Sequence, residues 1–194
     1  MNHLKILCFI LFLVFSSLIV NIFNPEYYNS KFKVNGAYEK FGEDVFSVNK
    51  EVLGYVAGVR ELETDFFSEK EKNHLGDVRV LFLAGYSLFL ITFLSLLFIK
   101  KTELSDILFK SGVIGAGFIL LLIVLSYINF ELLFTFFHQL SFKEGTWLFN
   151  ANDKIVQIYT FDLFFDLFLR ILLTSLALFS FSILFSRVKV KYTC

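Results

Sequence analysis

The chain has 194 residues, a formal net charge of zero, 56% apolar residues and a mean hydropathy of +0.67. With one proline and 28 phenylalanines it is too apolar for a water-soluble domain of this size. These values exclude a strongly basic nucleic-acid-binding protein and predict one that lives in a lipid bilayer.

A bilayer core about 30 Å thick takes roughly 20 apolar residues in helical form. Four stretches qualify: residues 6–23, 80–99, 112–134 and about 163–186. The predicted organisation is a first span within 1–23, an outer segment 24–78, a second span 79–99, a loop 100–111, a third span 112–134, a second outer segment 135–162, a fourth span 163–186 and a tail 187–194. The first run has the single Lys5 of a signal peptide, but it is long and no small-x-small cleavage site follows, so it is read as a span.

Short segments set the orientation. Lys5, Lys100, Lys101, Lys110, Arg187, Lys189 and Lys191 face only Glu103 and Asp106, whereas residues 24–78 hold eleven acids against seven bases. The positive-inside rule then puts both termini in the cytoplasm and both outer segments outside the cell membrane. Cys8 lies in the first span and Cys194 ends the tail, which predicts no extracytoplasmic disulfide and no prenylation pattern.

The first outer segment reads as a mixed α+β cap. Tyr27, Tyr28, Phe32, Val34, Tyr38, Phe41, Val45, Phe46 and Val48 interleave with polar residues as in short strands and turns. Val52, Leu53, Val56 and Val59 recur at helical spacing, predicting a helix over about 50–62. Ser68 with Glu71 forms a capping box, so a helix starts there, carries His74 and Asp77 and continues into the second span. In the second outer segment, residues 143–145 and 150–153 read as turns around Trp147 and Phe149. The expected fold is mainly α, a polytopic protein of four transmembrane helices with an extracytoplasmic α+β cap.

Of the three histidines only two can meet. His74 precedes the second span and His138 follows the third, and two crossings return a chain to the face it left; His3 is one crossing away. A pair of imidazoles, with unperturbed pKa near 6.5, can accept and donate protons at neutral pH.

The sequence from Phe67-Ser-Glu-Lys-Glu-Lys-Asn-His74-Leu-Gly-Asp77-Val-Arg79 resembles the segment before the second span of the bacterial lipoprotein intramolecular transacylases. His138-Gln-Leu-Ser-Phe142, Trp147-Leu-Phe149, Asp153-Lys-Ile155 and Phe164-Phe165-Asp166 are similar to that family's second outer segment. The order of the motifs and the four-span layout carry the resemblance over nearly the whole chain. Tyr159-Thr-Phe-Asp162 departs from it where a proline is expected before the fourth span.

The resemblance implies transfer of an acyl chain from the sn-2 oxygen of a diacylglyceryl-cysteine to the α-amine of the same cysteine. It implies a lipoprotein partner in the membrane, no soluble acyl donor, and no cofactor. His74 and His138 are the expected acid and base. Asp77, on the helix face of His74, is placed to orient it or to be a surface carboxylate. Arg79 suits a developing oxyanion or lipid headgroups. Trp147 reads as an interfacial anchor or a substrate wall, and Glu131 as a partner of His138 or a headgroup-facing acid. Asp162, Asp166 and Arg170 form one stripe on the fourth helix, with an Asp166–Arg170 ion pair as its structural reading. Gly112, Gly115 and Gly117 suggest close helix packing.

Two other classes compete. A metal-dependent membrane hydrolase would use His74, Asp77 and His138 as ligands, but their spacing is unlike a His-Glu-x-x-His site. A non-catalytic four-span adaptor would tolerate loss of both histidines. A serine nucleophile has no Gly-x-Ser-x-Gly elbow to sit on.

Overall fold

A computed structural model describes residues 2–187. Lys189, Lys191 and Cys194, used above for orientation and cysteine chemistry, lie outside the described residues. The elements are α1 (Asn2–Ile22), α2 (Pro25–Val34), α3 (Ala37–Phe41), α4 (Asp44–Val56), α5 (Glu69–Leu96), α6 (Lys101–Ser141), α7 (Lys154–Ile158) and α8 (Phe161–Ser186).

Helices α1, α5, α6 and α8 are long and apolar enough to cross a membrane. Much of their apolar surface is uncovered: the most apolar stretch of α5 is only 6% buried, and Ile91 and Phe98 are 62% and 77% exposed. At about 25 cal/mol for each Å² of apolar surface, water cannot be the solvent for such faces. The chain is a multi-pass membrane protein.

The first outer segment corrects the expected α+β cap. Among the described residues there is no strand, and the interleaved aromatics belong to α2, α3 and α4. Two local signals outweigh the apparent alternation. Asn24 Oδ1 accepts the N–H groups of Glu26 and Tyr27 at 3.2 and 3.3 Å, and Pro25 follows at the first helical position. Gly36 and Gly42, at φ 76° and 74°, then interrupt the chain where a strand would have continued. In α4 the buried Val45, Val48, Asn49, Val52 and Val56 recur every three or four residues, so this helix starts and ends several residues before the predicted 50–62.

The chain divides into two compact units. The first comprises residues 2–20, 87–128 and 169–187 of the described chain. Small residues hold it together. A Cβ at Gly112 would stand 2.5 Å from Ile183 Cγ1, and one at Gly115 2.3 Å from the Phe179 ring. Hydroxyls bridge the helices by donating to backbone carbonyls: Ser17 to Ile171 (2.7 Å), Ser182 to Leu108 (2.9 Å) and Ser111 to Ile6 (3.3 Å). In hydrocarbon, where burial drives no helix association, such close approach and hydrogen bonding take over. Gly117, third of the glycine cluster, has nothing within 4 Å of its would-be Cβ and takes no part.

The second unit comprises Asn21–Tyr86 and Asn129–Phe168. Asn129 has extended backbone (φ −161°, ψ 87°) inside α6, and its Oδ1 accepts Leu132 N–H at 2.9 Å. The side chain thus caps a helix that restarts there. Tyr28, Phe32, Val45 and Ile158 form the buried centre of the unit. Tyr27 O–H donates to Leu163 O (2.7 Å), Tyr159 O–H donates to Asn49 Oδ1 (3.0 Å), and Lys31 pairs with Asp166.

The packing separates two glycines only two positions apart. Gly115→Ala should drive a methyl group into the fully buried Phe179 ring and destabilise by about 1–3 kcal/mol. Gly117→Ala should be neutral or gain up to about 1 kcal/mol of helix propensity. Thermal unfolding of the two variants in detergent checks this; equal melting temperatures would contradict it.

Candidate active site: two stacked histidines

His74 owes its position to how α5 begins. Ser68 donates both its N–H and its hydroxyl to Glu71 Oε2 at 2.7 Å, and Glu71 N–H returns to Ser68 Oγ at 3.4 Å. This is a reciprocal capping box. The other carboxylate oxygen, Oε1, accepts Ile155 N–H at 2.7 Å. A single buried carboxylate therefore starts the helix and binds the second outer segment to it. Glu71 and His74 are three residues apart and share a helix face.

His138 sits on the restarted half of α6. Its Nδ1 lies 2.7 Å from Phe134 O, one turn back. A carbonyl can only accept, so Nδ1 carries the proton and the neutral ring keeps its Nε2 lone pair free to take another. The two imidazoles are near-parallel, with ring centroids 6.3 Å apart and planes at 21°.

Aromatic rings enclose the pair. Phe142 touches both imidazoles, with centroids 4.9 Å from His74 and 5.4 Å from His138. Phe149 stands 5.3 Å from His74, and Trp147 5.0 Å and Phe134 4.1 Å from His138. Both histidines lie outside the apolar runs 80–99 and 112–134. Burial pushes His74 down to about 4, with the neighbouring His138 adding to the effect and Asp77 opposing it. Burial also lowers His138, against the pull of the Phe134 carbonyl. Two neutral imidazoles at pH 7 follow. His74 Nδ1 is buried without a hydrogen-bond partner, a condition that ordinarily costs about 1–3 kcal/mol.

Beside the pair runs a cleft of about 290 Å³, between Asp77, Val80, Leu81 and Ala84 of α5 and Ser141 and Lys143, with Phe142 as the wall shared with the histidines. A cleft of about 370 Å³ is lined by Phe67, Ser68, Glu71 and residues 152–154; neither cleft has a histidine in its lining, and the smaller one adjoins the pair only through Phe142.

The remaining predicted residues fall in different places. Asp77 is exposed on the edge of the smaller cleft. Trp147 is against His138, as a wall of the site. Arg79 is held by Glu61 through two N–H···O contacts of 3.0 and 3.3 Å and lies 4.7 Å over the Tyr55 ring. Glu131 and Asp162 are exposed, and the contact that orients His138 comes from the Phe134 carbonyl. Asp166 meets Lys31 of α2. Among the described residues no three His, Cys, Asp or Glu side chains are grouped to hold a metal.

Four residues of the site are not marked as such by the sequence: Phe134, Phe142, Phe149 and Glu71. Phe142 is four after His138, on the same helix face, a signal that spacing alone carries. Phe149 is two after Trp147 and reads equally well as an interfacial anchor. Glu71 was visible only as a cap, because nothing local announces its bond to Ile155.

The model of the family described as "Lipoprotein intramolecular transacylase Lit" matches residues 3–165. An uncharacterised protein of Aquifex aeolicus is 27% identical over 127 residues, a match that spans 64% of this chain and 58% of that relative's length. In fold the chain is similar to the membrane integral lipoprotein intramolecular transacylase Lit from Bacillus cereus, with a TM-score of 0.84, 19% identity, and coverage of 96% of this chain and 94% of that one. A structure of the same Bacillus protein with a histidine replaced by arginine superposes with a TM-score of 0.63 at 20% identity, covering 96% and 91% of the two chains. With most of its length inside the family match, the chain belongs to the Lit family of lipoprotein intramolecular transacylases.

Proposed function

We propose that this chain moves the sn-2 acyl group of a diacylglyceryl-cysteine to the α-amine of that same cysteine, with His138 as proton acceptor and His74 as its partner in returning a proton. The observation that carries the reading is the stacked pair itself, two imidazoles 6.3 Å apart in an aromatic enclosure. The amine nitrogen attacks the ester carbonyl and an N–C bond forms. His138 Nε2 takes the proton that the nitrogen sheds. As the bond from the carbonyl carbon to the sn-2 oxygen breaks, the departing alkoxide takes a proton relayed through the pair. One amide replaces one ester, so total mass is unchanged.

Several features support this. Nδ1 of His138 is committed to Phe134 O, which leaves Nε2 as the ring's accepting atom. Positioned acid–base groups contribute about 10²- to 10⁴-fold, and confining amine and ester in one site supplies roughly 7–11 kcal/mol more. The charge pattern, by the positive-inside rule, favours both termini in the cytoplasm and the histidines at the outer membrane face, where lipid-modified cysteines of exported proteins are.

The test is mass spectrometry of lipoprotein N-termini from cells that make diacylglyceryl lipoproteins and express the chain. Transfer of one acyl group to the amine at constant mass is expected, and His74→Asn or His138→Asn should slow it at least about 100-fold. Undiminished transfer in both variants favours the adaptor reading. Transfer should also survive a metal chelator; loss on chelation and recovery with zinc favours the hydrolase reading.

The pH profile follows from the lowered imidazoles. A base whose pKa is depressed stays neutral until pH falls through the depressed value, so neither histidine should produce an inflection near 6.5. The substrate amine, with an unperturbed pKa of about 7.7–8.0, should dominate the neutral range. The rate should therefore rise with a single slope to about pH 8 and steepen only in acid. A break at 6.5, measured with purified protein and a lipopeptide, would contradict the enclosure's effect.

A further inference from the structure

We infer that residues 142–149 form a water-excluding roof over the histidine pair, and that Lys70 and Glu71 are positioning residues that hold it shut against α5. The inference rests on the transacylase reading and addresses a question that reading leaves open: why the acyl group reaches nitrogen and not water.

The chemistry of the pair does not discriminate. An imidazole able to take a proton from an attacking amine can equally take one from water. In the amine route an N–C bond forms, the ester C–O bond breaks and the lipoprotein keeps both acyl chains. In the water route the new bond is O–C, the same ester bond breaks, the alkoxide gains a proton, and a free fatty acid departs. The lipoprotein is then left with one acyl chain and a free amine. Keeping water from the carbonyl is therefore part of the reaction's specificity.

The structure supplies both a cover and its fastening. Phe142, Trp147 and Phe149 present rings 4.9–5.4 Å from the imidazoles. Leu148, between two of them, is 55% exposed, so over 147–149 the two rings turn inward while the residue between them faces out. The first turn of α5 holds the segment from two sides. Lys70 Nζ donates to Leu148 O and stands 5.0 Å over the Phe149 ring. Glu71 accepts Ile155 N–H at 2.7 Å, six residues beyond the roof. The turn that links the two is closed by Asn150 N–H donating to Asp153 Oδ2 (2.6 Å) and, from just past Ile155, by Gln157 Nε2–H donating to Ala151 O (2.9 Å). A second cation–π contact, Lys154 Nζ 4.6 Å over Phe66, ties the segment to the residues that precede α5. Cation–π and charge-assisted contacts of this kind strengthen when water is kept away.

The experiment uses the full-length protein in detergent with a diacylglyceryl lipopeptide, reading N-acyl product, monoacyl free-amine product and free fatty acid together. The wild type should give N-acyl product with little fatty acid. Lys70→Ala, Glu71→Gln and Phe149→Ala should each raise the ratio of hydrolysis to transfer at least about tenfold, and Lys70→Arg should restore it. Lys72→Ala, on the same turn but paired with Asp65 and Glu69, should leave the ratio unchanged. Melting temperatures identify any variant that is merely unfolded; if Glu71→Gln is, Lys70→Ala and Phe149→Ala decide. Folded variants that lose transfer with no rise in fatty acid overturn the roof and leave the transacylase reading standing. A wild type that makes no N-acyl product overturns that reading and the roof with it.

Discussion

The carboxylate of Glu71 is the constraint on which the site is built. It is almost wholly buried, and it is satisfied by three donors from two stretches far apart in sequence: Ser68 N–H, the Ser68 hydroxyl and Ile155 N–H. A buried carboxylate without such donors would be very costly. With them, it fixes where α5 starts and which residues lie against its first turns. His74 then follows three residues on, before the helix becomes apolar. Had the helix begun two turns later, His74 would stand in loop, with its ring free to swing away from His138.

His138 is placed by a second interruption, of opposite kind. The extended backbone at Asn129 breaks α6 just beyond its most apolar stretch, and the Asn129 side chain starts the helix again. A straight α6 would carry its C-terminal face on the phase set by residues 112–128. The break frees residues 130–141 to take their own phase, set by packing of Phe130 and Phe134 on Phe161, Phe164 and Phe165. The histidines thus come together where α5 begins and where α6 restarts, and a polar side chain caps the backbone at both places.

This explains which features could be read from the residues alone. The four apolar runs are long, uncharged and separated by charged segments, so length and hydropathy decide them. That His74 and His138 share a membrane face follows from counting crossings, and the Ser68–Glu71 box is a three-residue signal. The helical nature of 25–49 is hidden because aromatic and polar residues alternate locally, while the helices are decided by end signals, Asn24-Pro25 and the glycines at 36 and 42. Partners distant in sequence were out of reach. Arg79 finds Glu61, Asp166 finds Lys31 and Glu71 finds Ile155, and no spacing rule pairs these residues. Phe142, by contrast, is legible from helical spacing, since it lies one helical turn from His138.

The enclosure has opposite effects on the two things such a site must do. Rings packed around the imidazoles lower their affinity for protons, which weakens each as a base by the ordinary relation between strength and pKa. In the proposed reaction the same rings would exclude the solvent that competes for the acyl group. For a reaction between two separate molecules the loss of basicity would dominate. When amine and ester sit on one cysteine, confinement alone can supply an effective concentration on the order of 10⁵–10⁸ M, and a weaker base is tolerable. Under the proposed reaction such a site is free to favour dryness over proton affinity, and an apolar shell around the two histidines, with Asp77 only partly opposing its effect on His74, suits that balance.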